Sequence, residues 1–120
     1  MATIDELSAA QIAAGVANAE FSATEVVQAS LDAIEQRDAE VQAFLQVSAD
    51  LALAAAAATD KNRAAGKQLG ALAGVPVAFK DNLHLGGTRT TCASKKIHNY
   101  ERGFSSTCGS RILDAGATPT

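Results

Sequence analysis

The sequence predicts an α/β fold, with helices filling residues 1–66 and the first strands of a sheet following over residues 69–120. Three observations predict it. Capping boxes and a 3.6-residue apolar period mark the first part. From Leu69 that period gives way to short β-branched runs punctuated by Gly70, Gly74, Gly86 and Gly87. Near the end, a short helical pattern leads into a second extended one, the strand–helix–strand order of a parallel crossover.

The elements follow in order. Thr3 with Glu6, and Ser22 with Glu25, read as capping boxes that open helices over about 4–16 and 23–37. In the second helix Val27, Leu31 and Ile34 form one stripe, and Gln28, Asp32 and Glu35 the opposite face. Residues 41–47 form a short apolar segment after a polar break and are expected to be extended. Ser48 or Asp50 opens an alanine-rich helix to about Ala65, stopped by Gly66. The alanines at 54–58 suit close packing on a neighbour. Residues 75–79, apolar at every position, predict a strand covered on both faces, with Pro76 tolerable near its start. Ser105, Ser106 and Thr107 are cap residues for a last helix through Ala115, stopped at Gly116, with Gly109 costing it about 1 kcal/mol. Residues 117–120 read as another strand beginning. A crossover cut off there predicts the truncated front of one larger domain.

Composition limits the alternatives. At 120 residues there is room for one domain, not two. Apolar residues make up 48% and aromatic ones only 4%, so much of the apolar content is alanine, which favours helix and fills little volume. A net charge of −3 argues against a broad basic surface for nucleic acid. No run approaches membrane-spanning length, and the N-terminus lacks a secretory pattern. Cys92 and Cys108 read as two free thiols of a cytosolic protein.

The residue with most chemical content is Lys80, an ammonium at the carboxyl end of an apolar strand, where open α/β sheets tend to place their sites. A lysine acting as base must be neutral. Moving its pKa from about 10.4 to about 7.5 costs the charged form roughly 4 kcal/mol. Burial supplies that if no carboxylate pairs with the amine. Asp81 and Asn82 are turn formers, and an adjacent Asp81 need not face the lysine. Residues 87–96 are dense in hydroxyls, but no strained, glycine-flanked serine marks a nucleophile for a Ser–Lys arrangement. His84, Cys92, His98 and Cys108 lack the spacing of a zinc module, so a metal site is not expected and all four read as buried or incidental. The glycines match neither a dinucleotide fingerprint nor a P-loop.

Residues 72–82 (LAGVPVAFKDN) and 89–94 (RTTCAS) together resemble the start of the amidase signature family. Within it they resemble the A-subunit branch of the aspartyl/glutamyl-tRNA(Asn/Gln) amidotransferases. The likeness extends to the N-terminal helices, to Ala43, Phe44 and Leu45, and to residues 100–116. It implies a mixed sheet and a triad of serine, cis-peptide serine and lysine, with Lys80 the lysine. It further implies a cytoplasmic enzyme that releases ammonia from glutamine for partner subunits B and C. There ATP and Mg2+ serve the amidation of mischarged tRNA. The stretch supplying both triad serines is expected beyond residue 120, so the chain alone is expected to be inactive. Arg102 and Gly103 stand where relatives commonly have prolines, Cys108 and Gly109 interrupt a helix usually better formed, and Thr120 takes an aliphatic position. Two further readings are another amide hydrolase of the family and a non-catalytic helical interaction module.

Overall fold

The computed structural model describes residues 3–101 and 103–120. A 3-10 turn, Ile4–Glu6, precedes α1, Ala9–Ala17, then α2, Ala23–Val41, and α3, Ala49–Ala64. The second part holds β1, Pro76–Val77, α4, Thr107–Asp114, and β2, Thr118–Pro119.

The first predicted helix is two elements. Glu6 accepts from the Thr3 N–H at 3.0 Å, as its capping box requires. A second box then follows within the expected helix. Ser8 adopts extended backbone, Gln11 accepts from its N–H at 2.9 Å, and the Gln11 N–H donates back to the hydroxyl at 3.4 Å. A cap residue satisfies free N–H groups only by leaving helical geometry, so the chain restarts there.

The expected start of α2 is reproduced, with Ser22 and Glu25 exchanging bonds of 2.7 and 3.0 Å. The helix runs past 37 to Val41, a stretch in which Ala39 and Glu40 are good helix formers. Gln42 stops it in the left-handed region, and the Asp38 carboxylate accepts from the Ala43 N–H at 2.7 Å. The expectation of an extended 41–47 segment is corrected here. Val41 closes the helix, and residues 42–47 form an irregular stretch with no strand partner.

In α3, Ser48 is the N-cap, as one of the two expected starts, and Gly66 follows its end at φ +69°. Ala52 and Ala56 are fully buried, so α3 approaches α2 closely through small side chains. Ile12 and Val16 of α1, Ala23, Val26 and Val27 of α2, and Val75 complete the core.

One ionic cluster joins the three helices. The Asp60 carboxylate of α3 accepts from the Ala23 and Thr24 N–H groups at 2.8 and 3.0 Å, and from the Thr24 hydroxyl at 2.7 Å. Arg63 donates to the carbonyls of Val16 and Phe21 at 2.8 and 2.9 Å. A carboxylate thus sits at the amino end of α2 and a guanidinium at the carboxyl end of α1, each where the helix dipole favours it. Burial opposes ionisation of Asp60, but the bonds from Thr24 and Ala23 outweigh it and hold its carboxyl below the usual value. Stability from this group is therefore complete above the unfolded carboxyl pKa, about 3.9, and is lost as pH falls through the lower folded value. We expect Asp60→Ala to cost about 1–3 kcal/mol at pH 7. Urea midpoints that fall equally with pH in parent and variant would refute this.

β1 and β2 pair in parallel with Pro76 opposite Thr118 and Val77 opposite Pro119. The Thr118 N–H donates to the Val75 carbonyl at 2.8 Å and the Thr120 N–H to that of Val77 at 3.1 Å. The expected strand–helix–strand unit is present, although β1 spans two residues rather than 75–79. The ladder bonds run between Val75, Val77, Thr118 and Thr120, so Pro76 and Pro119 occupy the alternate positions, where their missing N–H takes no donor from this pairing. The expectation of cover on both faces is also corrected. Val75 is buried, but Pro76, Val77 and Phe79 are half-buried and Ala78 is exposed. Gly109 lies in the first turn of α4, where its N–H donates to Ser106 Oγ at 3.0 Å. A Cβ there would sit 3.2 Å from the His84 carbonyl, so glycine fits the contact rather than interrupting the helix. Gly103 is exposed, and the expectation for Arg102 lies outside the described residues.

Candidate active site

The chain leaves β1 through Ala78 and Phe79 and turns at Lys80. The Leu83 N–H donates to the Lys80 carbonyl at 2.8 Å, so Asp81 and Asn82 occupy the corners of the turn, as expected. Lys80 is exposed on a groove of about 380 Å³ that Phe44, Leu45, Gln46, Arg89 and Thr120 also line. Arg89 Nε donates to Gln46 Oε1 at 3.1 Å. Among the described residues no carboxylate lies within ion-pair distance of the Lys80 ammonium.

Asp81 is turned toward a second loop. One carboxylate oxygen accepts from the Thr91 N–H at 2.9 Å and the other from the Thr91 hydroxyl. The Cys92 N–H adds a bond of 3.1 Å to the Asp81 carbonyl. The Thr91 hydroxyl, then its N–H, hold the Asp81 carboxyl below the usual range. Thr91 opens a tight turn, with the Ser94 N–H 2.8 Å from its carbonyl, and Cys92 and Ala93 both have left-handed backbone at φ +48° and +57°. Successive non-glycine residues in that region are strained and need surrounding structure to hold them. Sequence reasoning named Asp81 only as a turn former. Nothing local could reveal its partner, which lies ten residues on.

The other candidates stay apart. Thr88 and Thr90 donate their hydroxyls to the carbonyls of Leu85 and Leu83 at 2.9 and 3.4 Å, and Thr91 to Asp81. No hydroxyl bond links them to Lys80, so a Ser–Lys arrangement does not form among the described residues. The His84 ring lies 5.4 Å from that of Phe104, and His98 Nδ1 is 2.7 Å from the Lys95 carbonyl. Cys92 and Cys108 are free, as expected, and both are exposed, so of the two readings, buried or incidental, burial does not hold for either. Among the described residues no group of three or more His, Cys, Asp or Glu could hold a metal.

A lysine three residues beyond β1, a turn, and a crossover through α4 that returns β2 beside β1 are the parts that surround the groove. The Amidase family model matches residues 25–120, and the chain belongs to the amidase family. It is 46% identical over 116 residues to the glutamyl-tRNA(Gln) amidotransferase A-subunit of Thermobifida fusca (strain YX), covering 97% of this chain and 23% of the relative. It is 48% identical over 98 residues to the protein of that name from Thermosynechococcus vestitus, covering 82% and 20%. The chain thus spans about a quarter or less of these relatives' length. Its fold matches a bacterial aryl acylamidase of the amidase signature family with TM-score 0.88 at 30% identity, covering 94% of this chain and 24% of that one. It also matches the glutamyl-tRNA(Gln) amidotransferase A-subunit from Thermotoga maritima with TM-score 0.71 at 26% identity, covering 100% and 23%. Among the described residues no helix is long and apolar enough to cross a membrane.

Proposed function

We propose that this chain carries the general base, Lys80, of a glutamine amidohydrolase that supplies ammonia for tRNA-dependent amidation. The observation that supports it most is the position of Lys80, which opens the turn after β1 inside the family match and lines a groove without a paired carboxylate. A neutral Lys80 amine takes a proton relayed by a bridging serine from a nucleophilic serine. The nucleophile then adds to the amide carbon, ammonia leaves, and water releases the acyl group. Both serines are assigned to the part of the relatives' length that this chain does not span. The ammonia passes to partner subunits B and C, where ATP and Mg2+ activate the aminoacyl group of mischarged Glu-tRNA(Gln) or Asp-tRNA(Asn).

Identity to the tRNA-dependent relatives, 46% and 48%, favours this reading over another amide hydrolase. The higher TM-score to the aryl acylamidase, 0.88 against 0.71, favours the alternative. Co-purification with subunits B and C separates them. The purified 120-residue chain is expected to release no ammonia from glutamine. Turnover by that chain which Lys80→Ala abolishes would overturn the division of the triad.

A further inference from the structure

We propose that Asp81 and Thr91 are a positioning pair for Lys80. By engaging both carboxylate oxygens, Thr91 holds Asp81 away from the neighbouring amine and fixes the turn that presents it. The inference rests on the base role proposed for Lys80. Its physical content is that a base is useful only while its amine is free to lose a proton, and an adjacent carboxylate opposes that.

The geometry carries the argument. Asp81 follows Lys80 directly, and both line the same groove. A carboxylate so placed is the natural counter-ion of the lysine, yet it accepts from the Thr91 N–H at 2.9 Å and from the Thr91 hydroxyl. The Cys92 N–H binds the Asp81 carbonyl at 3.1 Å, so the backbone is tied as well as the side chain. The loop providing these donors is strained at Cys92 and Ala93, and the Thr91 hydroxyl also accepts from the Ala93 N–H at 3.2 Å. Arg89 is the other charged side chain lining the groove, with its Nε engaged by Gln46 at 3.1 Å, and in the 120-residue chain Thr120 brings its terminal carboxylate to the same groove. The nearby 43–48 segment brings no titratable side chain to this groove. Asp81 is therefore the one side-chain carboxylate lining the groove, and Thr91 decides where it points.

The test reads the amine directly in the full 120-residue chain. Acetic anhydride acetylates only unprotonated amines, and peptide mass spectrometry gives the rate at Lys80 against Lys61 and Lys67 as internal references. We expect Thr91→Val to free Asp81 to pair with Lys80 and slow its labelling about two- to five-fold, the range of an exposed ion pair. Adding Asp81→Asn to that variant restores the parent rate, and Thr91→Ser, which keeps the hydroxyl, labels as the parent does. Asp81→Asn alone changes the rate by less than about two-fold, because the carboxylate it removes is already engaged. A Thr91→Val chain that labels at the parent rate overturns the proposal. So does an Asp81→Asn chain that labels several-fold faster, an outcome readable even if Thr91→Val fails to fold. Loosening of the loop alone would not slow labelling in a way that Asp81→Asn reverses. Turnover by Lys80→Ala enzyme tests the base role separately, so the two ideas fail in different experiments.

Discussion

Lys80→Ala is expected to lower amide turnover by about 10²- to 10⁴-fold, the usual contribution of a positioned acid–base group. The suitable carrier is a chimera in which residues 1–120 replace the matched segment of the Thermobifida fusca relative, where the two are 46% identical over 116 residues. The substitution removes an exposed side chain that makes no ion pair among the described residues. Its effect on stability should therefore stay within about 0.5 kcal/mol. Lys80→Arg is a sharper probe, because a guanidinium keeps positive charge but cannot give up its proton in a protein. It should be as inactive as the alanine variant. An arginine variant with substantial turnover would mean that Lys80 acts through charge alone, and an active alanine variant would remove it from the mechanism.

The second large effect is on stability. Gly74→Ala should cost about 2–4 kcal/mol, combining left-handed backbone with an overpacked core. Gly74 sits at φ +74°, and a Cβ there would lie 2.9 Å from the Ala23 Cβ and 3.0 Å from Val16 Cγ2. Both neighbours are fully buried and cannot move aside without disturbing the contact between α1 and α2. Gly66 has similar backbone, φ +69°, with nothing within 4 Å of its missing Cβ. Gly66→Ala should therefore cost only about 1 kcal/mol, the backbone part alone. Urea midpoints for the two variants measure the difference. Equal losses would show that the space around Gly74 adjusts freely and that the packing argument fails.

Gly74 also illustrates how far local signals reach. As punctuation before an apolar strand it is visible in the sequence, but the walls of its site come from α1 and α2, some fifty residues earlier. The caps behave differently. Ser22 with Glu25, and Ser106, begin helices where expected, because each satisfies an N–H group only three residues away, and Ser48 begins α3 as its N-cap without a side-chain cap bond. Even the split of the first helix was written locally, in Ser8 and Gln11, where an unbroken apolar pattern hid a second box. Residues 41–47 misled for the converse reason. Apolar content there suggested a strand, but strands need a partner, and none pairs with this segment among the described residues.

The sequence alone determined the helical first part, the strand–helix–strand order and the turn at Asp81 and Asn82, and it singled out Lys80 as the candidate base. These rest on interactions within about one helical turn, or on motifs that stay contiguous along the chain. Only the tertiary structure decided that β1 is short and half-buried, that Lys80 is exposed on a groove, and that Asp60 and Arg63 tie three helices together. It also decided that Asp81 belongs to Thr91 rather than to its neighbouring lysine. Each of these is a choice among partners separated along the chain, and closing the intervening loop depends on the whole core forming at once.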